Sequence, residues 1–331
     1  MTMSEVLEIL VRANIIACVA ILAVLALRHF TRRLFDTQIA YQLWLVVPFA
    51  FFASFLPAAE AQSQAQAVAV AATVAALLPW ASVQELFDIR SLMILWTIGA
   101  CLATGLVGLS QLHFLKLAKA GRAGPAMVGI IAPRMVTPHG YQDHFSLEER
   151  MLVRAHERAH VDRGDLKVNA AITLFQCLLW FNPLVHLAAA LARQDQELAC
   201  DATVIAAWPQ LRKLYAATLL KTQLTRDLLP LGCHWGSANW HPLEDRIKLL
   251  AGRKLSERRR YAGGCGVLAL SLFVAASAWA AQLPQSPHPE KAFIPLPLRQ
   301  TFEFEGHPSI MMIRLSAVEV ANLPQPPRTN N

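Results

Sequence analysis

His156-Glu157-Arg158-Ala159-His160 spell an H-E-x-x-H pattern. On a helix, positions i and i+4 share one face, so the two imidazoles can hold one metal ion between them. Glu157 is rotated about 100° away, which leaves its carboxylate free to act as a base toward a water on that metal. A helix is expected here. Ser146 and Glu149 form a capping box, Leu147, Met151, Leu152 and Ala155 follow at helical spacing, and Gly164 is a suitable end.

A catalytic zinc site needs a third protein ligand, with the fourth position left for water. Glu197-Leu198-Ala199-Cys200-Asp201, an E-x-x-x-D on an expected second helix, offers one. In this reading Glu197 completes a two-histidine, one-glutamate set for one Zn2+ per chain. Asp201, a turn further on, accepts a hydrogen bond from a ligand imidazole and fixes its tautomer. The plain alternative is a solvated helix face, which is what most such pairs are. Asp165 reads equally as a group behind the ligands or as a helix-terminus residue. Cys200 reads as a small buried residue rather than a nucleophile, and Arg158 as solvated. Tyr215, His234 and His241 are candidates for stabilising an oxyanion, each with an ordinary packing or surface reading beside it.

The elements that must position these groups are set by composition. The chain has 331 residues, 55% hydrophobic and 16% charged, with a mean hydropathy of +0.36. That excludes an ordinary soluble enzyme and points to a polytopic membrane protein, mainly α. Four stretches, about residues 6–27, 39–59, 91–115 and 262–283, meet the requirement of about 20 apolar residues for a transmembrane helix. A cleaved signal peptide is the rival reading of the first. Its basic cluster, Arg28, Arg32 and Arg33, follows the apolar run instead of preceding it, which favours an uncleaved anchor.

Charge then sets orientation. Arg28, Arg32 and Arg33 follow the first span, and Arg253, Lys254, Arg258, Arg259 and Arg260 precede the fourth. Between the second and third spans lie Glu60, Glu85 and Asp88. Basic loops stay cytoplasmic, so residues 116–261 are expected inside, and the N-terminus and the tail 284–331 outside. The expected organisation is a membrane region at 1–115, an inserted protease domain at 116–261, the last span at 262–283 and a short Pro-rich tail. The net charge of +7 then reports topology, and no direct nucleic-acid partner is implied.

The uncharged stretch 168–192 is long enough to span as well. A single crossing there would put Glu197 on the opposite membrane face from His156 and His160. Asn182-Pro183 interrupts the run, so it is expected to be a broken helical hairpin, packed in the protease domain or dipping into the inner leaflet. Residues 126–137 read as a β-hairpin whose edge can receive an extended substrate. Residues 67–81 read as a surface helix, 211–229 and 243–250 as further helices, and the patch at Phe302–Glu305 as a short hairpin strand. Six irregularly spaced cysteines make no disulfide framework.

Three ordered motifs carry a family resemblance: residues 155–165 around the H-E-x-x-H, Trp180-Phe181-Asn182-Pro183-Leu184-Val185, and Asp195-Gln196-Glu197-Leu198-Ala199-Cys200-Asp201. Together with Gly129–Arg134 and Arg246–Leu250, they resemble the BlaR/MecR-type membrane metallopeptidases, which include the receptor-proteases that switch on β-lactam resistance. The resemblance implies a gluzincin-like zinc protease domain on the cytoplasmic side of a bacterial inner membrane. It implies His156, His160 and Glu197 as ligands and Glu157 as general base. It also implies cleavage of the protein itself, of a winged-helix transcriptional repressor, or of both. A homo-oligomer is compatible with it. The sequence contains no S-x-x-K, the nucleophile motif of the family's penicillin-binding sensor, so direct acylation by a β-lactam is not expected. Two rival functions are a quality-control protease of the HtpX/Ste24 type and a non-catalytic membrane signalling scaffold with a structural metal.

Overall fold

A helix satisfies its own backbone hydrogen bonds, so long apolar runs favour it in lipid as in a protein core. The computed structural model describes residues 3–56, 88–224, 246–247 and 257–280, and these are mainly helical with one two-stranded sheet. The elements are α1 (Met3–Leu34), α2 (Thr37–Gln42), a 3-10 turn (Leu43–Leu45), α3 (Val46–Ala53), α4 (Ile89–Lys119), β1 (Ala126–Val128), β2 (Arg134–Val136), α5 (Tyr141–His144), α6 (Leu147–Asp162), α7 (Asp165–Leu178), α8 (Pro183–Ala207), a second 3-10 turn (Pro209–Leu211), α9 (Arg212–Leu224) and α10 (Glu257–Ala280). The surface helix expected at 67–81, the tail, His234 and His241 lie outside the described residues, as do most of 225–256.

Three helical stretches are long and apolar enough to cross a membrane: Val6–Leu34, Ile89–Lys119 and Arg258–Ala280. They coincide with the first, third and fourth expected spans. The second expected span differs, because the apolar helical segment there is shorter, Thr37–Ala53, and is tightened at Leu43–Leu45. Pro48 accounts for the tightening. It has no amide hydrogen for the Trp44 carbonyl, and its ring crowds that carbonyl.

The sheet is a hairpin with Ala126 opposite Val136, Met127 opposite Met135 and Val128 opposite Arg134. Its turn needs Gly129, at φ +104°, where a Cβ would stand 2.7 Å from the Ala132 carbonyl oxygen. Helix α6 starts at the expected capping box, with Ser146 and Glu149 bonded reciprocally. Past its end Gly164, at φ +74°, turns the chain directly into α7.

The α7–α8 pair forms the broken hairpin expected at 168–192. Asn182 caps α8, accepting from the Leu184 amide at 2.9 Å, and Pro183 occupies the first turn, where no amide is missed. The first half of α8 runs parallel to α1. At one end Asn182 Nδ2 donates to Asn14 Oδ1 at 2.7 Å, and at the other Arg28 Nε donates to Asp195 Oδ2 at 2.7 Å. The two contacts are about 20 Å apart at 1.5 Å per residue. Between them Val185, Ala188, Leu191 and Ala192 share one apolar core with Ala13, Ala17, Ala20 and Val24 of α1, Leu43 and Trp44 of the Thr37–Ala53 segment, and Val267 of α10. The second half of α8 belongs to another core, where Val204 and Ile205 meet Leu152 of α6 and Tyr215 and Leu219 of α9. Helix α8 therefore bridges the apolar helices and the H-E-x-x-H helix.

Candidate metal centre

Helix α6 points His156 and His160 at α8, where Glu197 meets them. The two Nε2 atoms are 3.3 Å apart, and Glu197 Oε2 lies 3.4 Å from His156 Nε2 while its Oε1 lies 3.5 Å from His160 Nε2. Ligand atoms 2.0–2.1 Å from a tetrahedral zinc stand about 3.3 Å from one another. The two edges to Glu197 end on different oxygens of its carboxylate, so the carboxylate straddles the imidazole pair, and one ligand atom from each of the three side chains lies within 4.8 Å of the others. Glu197 Oε2 is also a buried oxygen with no hydrogen bond, although the Arg246 guanidinium is 3.0 Å from it. Charge compensates it there without an N–H directed along its lone pair.

Both rings are held from behind in the tautomer that metal binding requires. Tyr215 has one proton, and gives it to Asp201 Oδ1 at 2.6 Å. Its oxygen, 2.9 Å from His156 Nδ1, must therefore accept, which puts the ring proton of neutral His156 on Nδ1 and leaves Nε2 bare. His160 Nδ1 faces Asp165 Oδ2 at 2.8 Å, and an ionised carboxylate only accepts, so its Nε2 is bare too. Two bare lone pairs 3.3 Å apart repel unless a cation or a proton lies between them. This donor set fits a divalent metal.

The charges around the site follow from that arrangement. Burial alone would raise the Glu197 carboxyl, but Arg246, His156 and His160 override it and hold it well below the usual carboxylate range. Asp201 is fully buried, yet Arg246 and His156 bring it down to about 2. Burial would lower His156, and the Asp201 and Glu197 carboxylates beside its ring outweigh that, lifting it to about 9 without metal. The buried Asp165 is likewise lowered by His160 and Arg163. Burial and the neighbouring Asp201 push the Tyr215 phenol well above its ordinary value, so it stays a proton donor.

Glu157 is buried on the same helix, and its Oε2 accepts the Met127 amide of β1 at 2.9 Å. It lines a small pocket with His156, Tyr215, Thr218, Thr222 and Arg246. That amide belongs to the hairpin edge expected to receive substrate, and while it holds Glu157 it cannot pair with an added strand. The Glu197 side chain remains 32% exposed, which leaves one approach to the triangle open.

The structure brings together all six residues singled out in the sequence: His156, Glu157, His160, Asp165, Glu197 and Asp201. Both readings of Asp165 have a structural basis: it opens α7 as a helix-terminus residue, and its carboxylate stands behind the His160 ring. Tyr215 has its hydroxyl committed to Asp201 and His156, which is a different task from binding an oxyanion. Cys200 is buried with Sγ 3.2 Å from His160 Nδ1. His160, Asp165 and Cys200 also cluster closely enough to hold a metal. However, that Nδ1 is already bonded to Asp165, and burial raises the thiol well above its usual range, so Cys200 keeps its proton. Arg158 is exposed and paired with Asp162, as expected.

Two participants were not legible. Arg246 makes a two-pronged bond to Asp201, Nε to Oδ2 at 2.7 Å and Nη2 to Oδ1 at 2.8 Å. The Met127 amide, as a backbone group, carries no residue signature.

The residues of this site lie within a segment that matches a known family. The family described as BlaR1 peptidase M56 matches residues 8–122 and 115–250. The regulatory protein BlaR1 of Bacillus licheniformis is 33% identical over 81 residues, 24% of this chain and 13% of that protein. The methicillin resistance mecR1 protein of Staphylococcus aureus is 27% identical over 81 residues, 24% of this chain and 14% of that protein. The matched segment therefore spans about one seventh of these relatives. No solved structure matches the chain significantly.

Proposed function

The chain belongs to the BlaR1 peptidase M56 family, and on that premise we propose that it is a membrane-anchored zinc endopeptidase that cleaves a cytoplasmic regulator, itself, or both. The observation that carries the reading is the triangle of His156 Nε2, His160 Nε2 and the Glu197 carboxylate, with Glu157 one residue along the same helix. When bound, zinc supplies a Lewis acid for the scissile carbonyl and makes a water acidic enough to lose a proton near neutral pH. His156, His160 and Glu197 are the ligands in this reading. Asp201 with Tyr215, and Asp165, keep the ring protons on Nδ1. Glu157 takes the proton from the attacking water and later delivers it to the leaving amine. Its bond to the Met127 amide orients the carboxylate for both transfers.

The three long apolar helices, with the Thr37–Ala53 segment, support a multi-pass membrane protein, and the basic residues flanking the first and last spans support an inner-membrane orientation with residues 116–261 in the cytoplasm. In that orientation the substrate is on the side where a transcriptional repressor of the winged-helix type would be found. The buried Glu157 favours an enzyme over a scaffold, since a purely structural metal has no use for a base.

The reading is tested by comparing the proteomes of cells producing the wild type and Glu157→Gln. A cytoplasmic regulator truncated only in the wild-type cells is the expected result. Identical proteomes under inducing conditions, with both proteins present and metal-loaded, would refute a regulatory protease.

A further inference from the structure

Asp195 lies two residues before Glu197 on α8, so the two carboxylates leave the helix about 200° apart. Glu197 faces α6. Asp195 faces α1 and the Thr37–Ala53 segment, and it is fully buried. Its Oδ2 accepts from Arg28 Nε at 2.7 Å and Trp44 Nε1 at 2.8 Å, and its Oδ1 from Arg32 Nε at 2.6 Å. The residue between the carboxylates is tied down from the same side. Gln196 Nε2 donates to the Tyr41 hydroxyl at 3.0 Å, and that hydroxyl donates to Asp165 Oδ1 at 3.1 Å, while the other Asp165 oxygen holds His160.

We propose that Asp195, clamped by Arg28, Arg32 and Trp44, is the positioning residue through which α1 and the Thr37–Ala53 segment fix Glu197 against the two imidazoles. The inference rests on the metal-centre reading above and adds what sets its third corner. A buried charge stripped of its partners is strongly unfavourable, so the clamp moves as one body with α8 and does not let go. At the helix surface, 5–6 Å from the axis, a rotation of about 10° carries a carboxylate about 1 Å. That is enough to open triangle edges of 3.4 and 3.5 Å and to spoil a site of this precision. Arg28 and Arg32 lie near the C-terminal end of the apolar stretch Val6–Leu34, so a turn of α1 reaches Glu197 through two carboxylates on one helix.

The test uses the full chain in detergent micelles, with Co2+ as the probe because its visible absorption reports ligand geometry without any need for proteolysis. Asp195→Asn keeps the shape and removes the charge. It should weaken Co2+ binding about tenfold, the range typical of groups behind metal ligands, and shift the absorption bands. Asp195→Glu, which restores the charge, should recover part of the affinity. Arg32→Gln, on the other helix, leaves Arg28 and Trp44 in place and should give a smaller loss in the same direction. Circular dichroism and size exclusion check that each variant is folded. Wild-type affinity and spectrum in a folded Asp195→Asn would overturn the proposal. If Asp195→Asn does not fold, an unchanged spectrum in folded Arg32→Gln overturns it, and collapse of both variants assigns the clamp to stability alone. A wild type that takes up no Co2+ sinks the metal-centre reading itself.

Discussion

The Met127 amide donates to Glu157 across 2.9 Å, so the edge of the hairpin and the proposed base are held as one unit. General-base assistance is worth about 10²–10⁴ in rate. Glu157→Gln should therefore lose at least a hundredfold in peptide cleavage, with metal content unchanged, because Glu157 is not among the ligands. Metal analysis beside a cleavage assay checks both halves. Retained cleavage would mean that another group takes the proton.

Removing a ligand and removing its support should differ in degree. Glu197→Ala should abolish stoichiometric metal binding. Tyr215→Phe leaves the triangle intact but withdraws the acceptor from His156 Nδ1, and should weaken metal affinity about tenfold. Competition against a chromophoric chelator measures both. Equal affinities for wild type and Tyr215→Phe would show that Asp201 alone orients the ring.

Metal uptake should release protons. Without metal His156 titrates at about 9 and is mostly protonated at neutral pH, whereas a ligand imidazole must be neutral. Apparent affinity should fall up to tenfold for each unit of pH below about 9. For the metal-free fold the sign is opposite: a raised histidine adds stability that is complete below its ordinary 6.5 and is lost as pH rises through about 9. Calorimetry in buffers of different ionisation enthalpy counts the protons. A count near zero at pH 7 would mean that the ring is already neutral.

Arg246 is the counter-charge of a fully buried Asp201, and breaking such a pair from one side costs about 3–5 kcal/mol. Arg246→Ala should lower the thermal midpoint of the metal-free chain by several degrees. Arg246→Ala with Asp201→Asn should recover much of the loss. A single variant that melts like the wild type would show the pair to be energetically idle.

What could be read in advance was local. The spacing of His156, Glu157 and His160 and the capping box at Ser146 are properties of a single helix, and they survive in the fold unchanged. Asp165 stayed ambiguous because its place behind His160 depends on the reversal at Gly164, a backbone event between two helices. Arg246 and Tyr215 come from distant segments that read only as further helices, and a helical period does not tell which of their residues reaches Asp201. The second apolar stretch read as long as its neighbours because hydropathy counts residues and is blind to where a helix begins and ends, here Thr37 and Ala53. Arg28 and Arg32 read as markers of orientation, which hides their second use. Asp195 sits in the polar run Arg193–Glu197, where nothing local reveals that it points at them.

The two-point alignment of α1 and α8, from Asn14–Asn182 to Arg28–Asp195, has a practical consequence for modularity. A fragment cut at residue 116 would keep every ligand, yet it would strip the greasy flank of Val185, Ala188, Leu191 and Ala192 of its cover and orphan a buried aspartate. The peptidase cannot be excised as a free-standing soluble module. Its lid on that flank is supplied by the very helix that anchors it.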